Sequence, residues 1–143
     1  SLEYYDPQAG VRRVDEAIDF ARKQYPKLRS PTYLAGFSQG GGMVLRIVQH
    51  VPDRFSGALV IGSLCQTPGD EHWKPLSPPG GPRLVVACGK LDPHYQRHVA
   101  LCEQLAKANV SMKQLTWDEL GHEYPNDFAL RLSSSANWLF NTK

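Results

Sequence analysis

TYLAGFSQG, residues 32–40, places a lone serine between two glycines, where a strand pattern gives way to a helix pattern. Residues 32–35 are short, apolar and strand-favouring, whereas residues 41–48 favour a helix. A G-x-S-x-G sequence in this context is typical of a nucleophile elbow, a sharp turn that lifts the serine hydroxyl clear of the sheet. Glycine on both sides follows physically, because a side chain at Gly36 or Gly40 would collide with a neighbouring element or forbid the turn. The stretch predicts acyl-transfer chemistry at Ser38.

Composition narrows the class of protein. The chain has 143 residues, of which 41% are hydrophobic and 21% charged, and this balance predicts one globular domain. The net charge of +2 and the scattered basic residues argue against a nucleic-acid partner. No apolar run approaches the roughly 20 residues that a membrane span needs, so we expect a soluble protein.

The cysteines indicate a compartment. Cys65, Cys88 and Cys102 are odd in number and form no CxxC, which argues against a disulfide framework. Cys88 lies in an apolar run and Cys102 in a helical pattern, so buried reduced thiols are expected. This pattern favours a cytoplasmic location.

Strand and helix patterns alternate along the chain. Asp6-Pro7 predicts the start of the first helix, and Asn109 predicts a left-handed close to a later one. This alternation predicts an α/β fold with a mostly parallel sheet of about four strands and helices on both faces. The predicted strands cover residues 32–35, 57–62, 84–88 and 110–117.

Two loops supply partners for the serine. Asp92 directly follows the third predicted strand, and His122 follows the fourth. The carboxyl ends of parallel strands meet at one edge of the sheet, so Ser38, Asp92 and His122 should lie close together in the chain order Ser, Asp, His. A serine needs a base to take its proton, and the base needs a carboxylate to fix its tautomer. The spacing predicts Ser38 as nucleophile, His122 as base and Asp92 as acid.

Simpler interpretations exist for each of these residues. Ser38 could cap the helix that follows it, Asp92 could cap the helix near Tyr95, and His122 could be a solvated loop residue. Asp118 or Glu119 could replace Asp92 as the partner of histidine, although both lie on the same chain exit as His122. The order of the three residues along the chain favours catalysis.

Two further histidines could also carry chemistry. His94 and His98 stand four residues apart, a spacing that can bind zinc on a helix. No glutamate accompanies them as in H-E-x-x-H, so a surface pair is favoured and we predict no metal site.

The remaining site residues are predicted from loop position. The backbone N–H of Gln39 should donate to a developing oxyanion, helped by the amino end of the helix. Leu64 and Cys65 follow the second strand, and Trp73 lies in a long proline-rich segment. These three could line an acyl pocket or merely cover the end of the sheet.

These residues carry a resemblance. The chain resembles the α/β-hydrolase superfamily, in particular the phospholipase/carboxylesterase group that contains acyl-protein thioesterases and small esterases. The resemblance implies a serine hydrolase that cleaves carboxylic esters or thioesters of small molecules, lipids or acylated proteins, without a metal or organic cofactor. The residues that carry it are Gly36-Phe37-Ser38-Gln39-Gly40-Gly41, Gly89 to Asp92 with Pro93, and Gly121-His122.

The resemblance covers only the second half of the family's domain. The family's earlier strands and oxyanion loop have no counterpart, so residues 1–143 are expected to form one partial domain. The strand before Ser38 would then be an exposed edge that invites self-association. An alternative function follows, namely a non-catalytic interaction module or inactive fragment on a hydrolase scaffold.

Overall fold

The structure is a computed structural model that describes residues 6–63 and 81–140. In these ranges four parallel strands form one sheet in the order β1-β2-β3-β4, with helices on both faces. The α/β fold class predicted from the sequence is confirmed. The elements are α1 (Pro7–Gln24), β1 (Tyr33–Phe37), α2 (Gln39–His50), a 3-10 turn (Pro52–Arg54), β2 (Gly57–Ile61), β3 (Arg83–Gly89), α3 (Tyr95–Lys107), β4 (Met112–Trp117) and α4 (Phe128–Phe140).

The first helix begins where the sequence predicted. The Asp6 carboxylate accepts hydrogen bonds from the backbone N–H groups of Gln8 (2.9 Å) and Ala9 (3.2 Å), and proline occupies the first turn. Farther along, Gly10 lets α1 approach α2 closely, since a Cβ there would lie 2.8 Å from Met43 Sδ. The helix thus docks on α2.

The core lies on both faces of β2 and β3. On one face Ala58, Val60, Leu84 and Val86 pack against α2 and α3, and the alternate residues Ile61 and Ala87 pack on the α4 side. Burial on both faces explains why these strands read as continuous apolar runs.

The strand bounds differ from the prediction by two residues at the end of β1 and at the start of β4, and by one residue at four other strand ends. β1 runs to Phe37 rather than residue 35, because Gly36 and Phe37 pair with β2 and the Ser38 N–H donates to Ile61 O at 2.9 Å. β4 begins at Met112 rather than residue 110, because Asn109 adopts a φ of 54° and the Val110 N–H closes α3 on Leu105 O. The left-handed close predicted at Asn109 is therefore confirmed.

One edge of the sheet is open within the described ranges. β1 pairs with β2 alone, as the sequence predicted. An apolar cavity of about 240 Å³ lies beside it, between α1, α2 and β1, lined in part by Leu34, Met43 and Ile47.

Among the helices of residues 6–63 and 81–140, none is both long and apolar enough to cross a membrane. The division of residues 1–143 into a single partial domain stays a prediction.

Candidate active site

Ser38 occupies a strained turn between β1 and α2. Its φ of 55° and ψ of −121° are a conformation that non-glycine residues rarely adopt. Such strain costs about 1–3 kcal/mol and is concentrated at functional sites. The Ser38 side chain makes no capping hydrogen bond to α2, which contradicts the helix-cap interpretation. The hydroxyl is left for another partner.

The glycines around Ser38 have unequal roles. A Cβ on Gly36 would lie 2.4 Å from Gly40 O, so no side chain fits there. Gly41 is also tight, because its Cβ would be 3.2 Å from Gly36 O. The prediction that Gly40 is required for space is wrong, since a Cβ on it meets nothing within 4 Å among the described residues. The backbone carbonyl of Gly40 instead packs against Gly36 and leaves no room for a side chain there.

Asp92 is held by several donors on the loop after β3. Its side chain is only 1% exposed, and Oδ1 accepts a hydrogen bond from the His94 N–H at 2.7 Å. Burial alone would raise the pKa of Asp92, but hydrogen bonds from His122, His94 and the Cys88 thiol hold that pKa below its ordinary value. The carboxylate form is therefore stabilised. Asp92 does not cap α3, whose N-cap is His94; its Oδ1 makes the turn before the helix, while Oδ2 lies against His122.

His122 bridges the other two residues. Its Nδ1 lies 2.6 Å from Asp92 Oδ2, and its Nε2 lies 2.9 Å from Ser38 Oγ. With the Nδ1 proton donated to the carboxylate, Nε2 is free to accept the Ser38 hydroxyl proton. The competing carboxylates lie elsewhere, because Asp118 pairs with Lys90 and Glu119 with Arg131. The structure thus brings Ser38, His122 and Asp92 into one hydrogen-bonded chain.

Glycines at the ends of β3 and β2 give the His122 loop its path. β4 and β1 are three strands apart, or about 14 Å at the usual strand spacing. The chain after β4 first crosses Gly89, where a Cβ would lie 2.0 Å from Leu120 O. His122 then reaches Gly62, where a Cβ would lie 3.3 Å from its ring. The Leu91 N–H donates to Leu120 O at 2.9 Å and joins the Asp92 and His122 loops.

Sequence reasoning missed the side chains that surround His122. The Phe37 ring lies 4.9 Å from the His122 ring and 4.7 Å from the Tyr124 ring, measured between centroids. Gly62 has a φ of 50°, which favours glycine. Phe37 stands beside Ser38 in the motif, but nothing in the sequence pattern indicates that it contacts the histidine loop.

His94 and His98 are not a surface pair, contrary to the sequence-based expectation. His98 is 2% exposed, because α3 turns it inward, where its Nε2 lies 3.5 Å from Gln114 Nε2. Burial lowers the pKa of His98 to about 4 and raises that of nearby Cys102 to about 11. Burial together with Asp92 raises the pKa of Cys88 to about 12. Both cysteines are free thiols, as predicted.

The described ranges contain no cluster of three or more histidine, cysteine or acidic residues that could hold a metal.

The other predicted site residues lie at the start of α2 or outside the described ranges. Gln39 is the first residue of α2, so its backbone N–H lies at the amino end of that helix, and its side chain is exposed. The predicted pocket residues Leu64, Cys65 and Trp73 lie outside the described residues.

Comparisons with known proteins define the class of fold. No protein-family model and no curated protein sequence matches the chain. Solved structures of esterases match its four-stranded sheet and helices, so the chain has an α/β-hydrolase-like fold.

Three solved structures illustrate the likeness. An uncharacterized protein from Bacillus cereus matches with a TM-score of 0.78 at 18% identity, over 98% of this chain and 46% of that one. Esterase PE8 matches with a TM-score of 0.69 at 18% identity, over 96% and 64% of the two chains. The Bacillus cereus carboxylesterase matches with a TM-score of 0.65 at 19% identity, over 90% and 59%. The chain spans about half to two thirds of the lengths of these structures.

Proposed function

We propose that the protein is a serine hydrolase that cleaves carboxylic esters or thioesters through an acyl-enzyme intermediate. One observation carries the proposal, namely the continuous chain of hydrogen bonds from Ser38 Oγ through His122 to Asp92. The strained φ of 55° at Ser38 adds support, since nothing in the packing of a simple strand-to-helix turn requires a serine in that conformation.

The proposed reaction follows from the direction of these hydrogen bonds. Ser38 Oγ attacks the acyl carbonyl carbon while its proton moves to His122 Nε2. The tetrahedral intermediate collapses, the alcohol or thiol leaves, and Nε2 returns the proton to it. Water then repeats the sequence on the acyl-enzyme and releases the carboxylic acid and free Ser38. Asp92 stays ionised, orients the imidazole and stabilises the imidazolium that forms.

The oxyanion would bind at the amino end of α2. The first N–H groups of a helix have no acceptor within the helix, and the helix dipole favours negative charge there. The Gln39 N–H directly follows the nucleophile and is the donor that we assign to the developing charge. Substrates would be small or lipid esters and acylated proteins, in keeping with the sequence resemblance. The buried thiols Cys88 and Cys102 favour a reducing, cytoplasmic compartment.

Hydrolysis of short acyl esters tests the proposal. The protein is assayed with p-nitrophenyl butyrate and with a butyryl thioester, alongside Ser38→Ala and a matched control, Ser134→Ala, on the exposed side of α4. Loss of Ser38 should lower kcat by at least about a thousandfold, and loss of Ser134 should not. Equal rates for Ser38→Ala and the unaltered protein would refute the proposal.

A second function rests on a different observation. β1 pairs on one side alone within residues 6–63 and 81–140, which leaves backbone groups available to another strand. This edge supports an interaction module that associates with itself or another chain. Sedimentation analysis combined with the ester assay separates the two functions. A dimer without Ser38-dependent hydrolysis favours the module, whereas Ser38-dependent hydrolysis favours the enzyme.

A further inference from the structure

An aromatic clasp, defined as Phe37, His122 and Tyr124, joins the nucleophile's strand to the base's loop. Phe37 immediately precedes Ser38 at the end of β1. Its ring is 4.9 Å from the His122 ring with an interplanar angle of 33°, and 4.7 Å from the Tyr124 ring with an angle of 35°. Separations of this size are favourable for offset aromatic pairs. Two rings of the loop, at positions i and i+2, therefore contact one ring of the strand.

Outside the clasp, the His122 loop has few other contacts among the described residues. The His94 ring lies edge-on to the His122 ring with centroids 5.9 Å apart, and the Leu91–Leu120 hydrogen bond holds the start of the loop. Residues 121–127 form no helix or strand, and the His122 side chain remains 29% exposed. Two hydrogen bonds orient the imidazole, but both require the loop backbone to hold the ring close to the ends of β2 and β1. The clasp contacts bear on the position of the ring, because Phe37 is held in place by the pairing of β1 with β2.

Tyr124 also connects the clasp to the next helix. Its ring packs edge to face on Phe128 at the start of α4, with centroids 5.4 Å apart and an interplanar angle of 86°. The Tyr124 side chain is about half exposed, yet its ring contacts both β1 and α4.

From this arrangement we propose that Tyr124 is a positioning residue, which holds the His122 imidazole in hydrogen-bond reach of Ser38 and Asp92 by packing on Phe37. Its effect on hydrolysis rests on the function proposed above, whereas its effect on the imidazole does not. Tyr124 touches neither reacting atom and acts through His122.

The test compares Tyr124→Leu, which removes the ring, with Tyr124→Phe, which keeps it. Tyr25→Leu is the matched control, since Tyr25 is an exposed tyrosine at the carboxyl end of α1. Two quantities are measured in the same samples. One is the rate at which the His122 Nδ1 proton exchanges with water, followed by NMR. The other is the rate of fluorophosphonate labelling of Ser38 as a function of pH.

Loss of the ring should speed exchange of the Nδ1 proton and slow labelling of Ser38, each by about two- to tenfold, as expected for one aromatic pair. Tyr124→Phe should restore both rates. A purely structural role would lower the melting temperature without this change in the His122 proton. Phe37→Leu tests the same contact from the strand side if Tyr124→Leu folds poorly.

The outcomes separate the two proposals. The positioning role of Tyr124 is refuted if Tyr124→Leu and Tyr25→Leu give the same Nδ1 exchange rate. Faster exchange in Tyr124→Leu, in a protein whose Ser38 never labels, would support the positioning role and refute the proposed function.

Discussion

His122 Nε2 lies 2.9 Å from Ser38 Oγ, although 84 residues of chain and three strand spacings separate the elements that carry them. The contact exists because the chain after β4 runs back across the carboxyl edge of the sheet, over Gly89 and then to Gly62. Asp92 meets the same loop from the end of β3 and completes the chain of hydrogen bonds. The site is therefore a product of sheet order as much as of the serine motif.

Replacement of Asp92 by asparagine tests the orientation of His122. An amide can donate to Nδ1 and so favour the wrong tautomer, with the proton on Nε2. We expect kcat to fall by about ten-thousandfold. Asp118→Asn is the matched control, because Asp118 lies on the His122 loop but pairs with Lys90 on the surface. Similar ester hydrolysis by both variants would mean that Asp92 does not orient the base.

The glycines of the elbow should differ in their effect on stability. Gly36→Ala places a Cβ 2.4 Å from Gly40 O and should lower the free energy of unfolding by more than about 3 kcal/mol. Gly40→Ala adds a methyl where no described residue lies within 4 Å, in the first turn of α2. It should raise the free energy of unfolding by up to about 1 kcal/mol. Urea unfolding measures both, and equal destabilisation would contradict this geometry.

Gly62→Ala should displace the His122 ring without touching its hydrogen-bond partners. The new methyl would lie 3.3 Å from His122 Cε1 and Nδ1, at a residue with a φ of 50°. We expect a loss of about 1 kcal/mol in the free energy of unfolding from the backbone alone. The displaced imidazole should lower kcat by about tenfold or more.

Gly121→Ala is the control for this variant. Gly121 adjoins His122, but a Cβ there meets nothing within 4 Å in the described ranges. Its kcat should stay close to that of the unaltered protein. An equal loss of activity in both glycine variants would indicate a general effect on the loop rather than a contact at Gly62.

Buried His98 should make the protein sensitive to mild acid. Burial lowers its pKa from 6.5 to about 4. Between these values the unfolded chain binds a proton that the folded chain does not, so the free energy of unfolding falls as the pH falls. The contribution of neutral His98 to the free energy of unfolding is complete above pH 6.5, and about 3 kcal/mol of it is lost by pH 4.

Urea unfolding at pH values across this window measures the effect. His98→Met should flatten the fall, whereas His50→Met, at an exposed position at the end of α2, should keep it. An unchanged pH dependence in His98→Met would show that another group titrates.

The sequence predicted those features that depend on local patterns. Apolar runs located β2 and β3, because strands buried on both faces show no alternation. The order of Ser38, Asp92 and His122 predicted their approach, since parallel strands direct their carboxyl ends to one edge. The three lie in contact in the structure, while their catalytic roles stay predictions.

Features that depend on tertiary packing were not predictable in this way. Nothing local distinguishes Gly62, which the His122 ring approaches, from Gly121, where an added Cβ would meet no described atom within 4 Å. The burial of His98 likewise depends on how α3 turns against the sheet, and spacing alone made it look like half of a surface pair. The clasp between Phe37 and Tyr124 joins residues far apart in sequence.

Covalent labelling with a fluorophosphonate tests the central claim most directly, because the probe reports an activated serine without requiring the right substrate. Intact mass and peptide mapping would locate the adduct in the unaltered protein, Ser38→Ala, His122→Gln and Ser134→Ala. The account predicts one adduct, on Ser38, that is absent from Ser38→Ala, strongly slowed in His122→Gln and unchanged in Ser134→Ala. Labelling of the unaltered protein no greater than that of Ser38→Ala would contradict it.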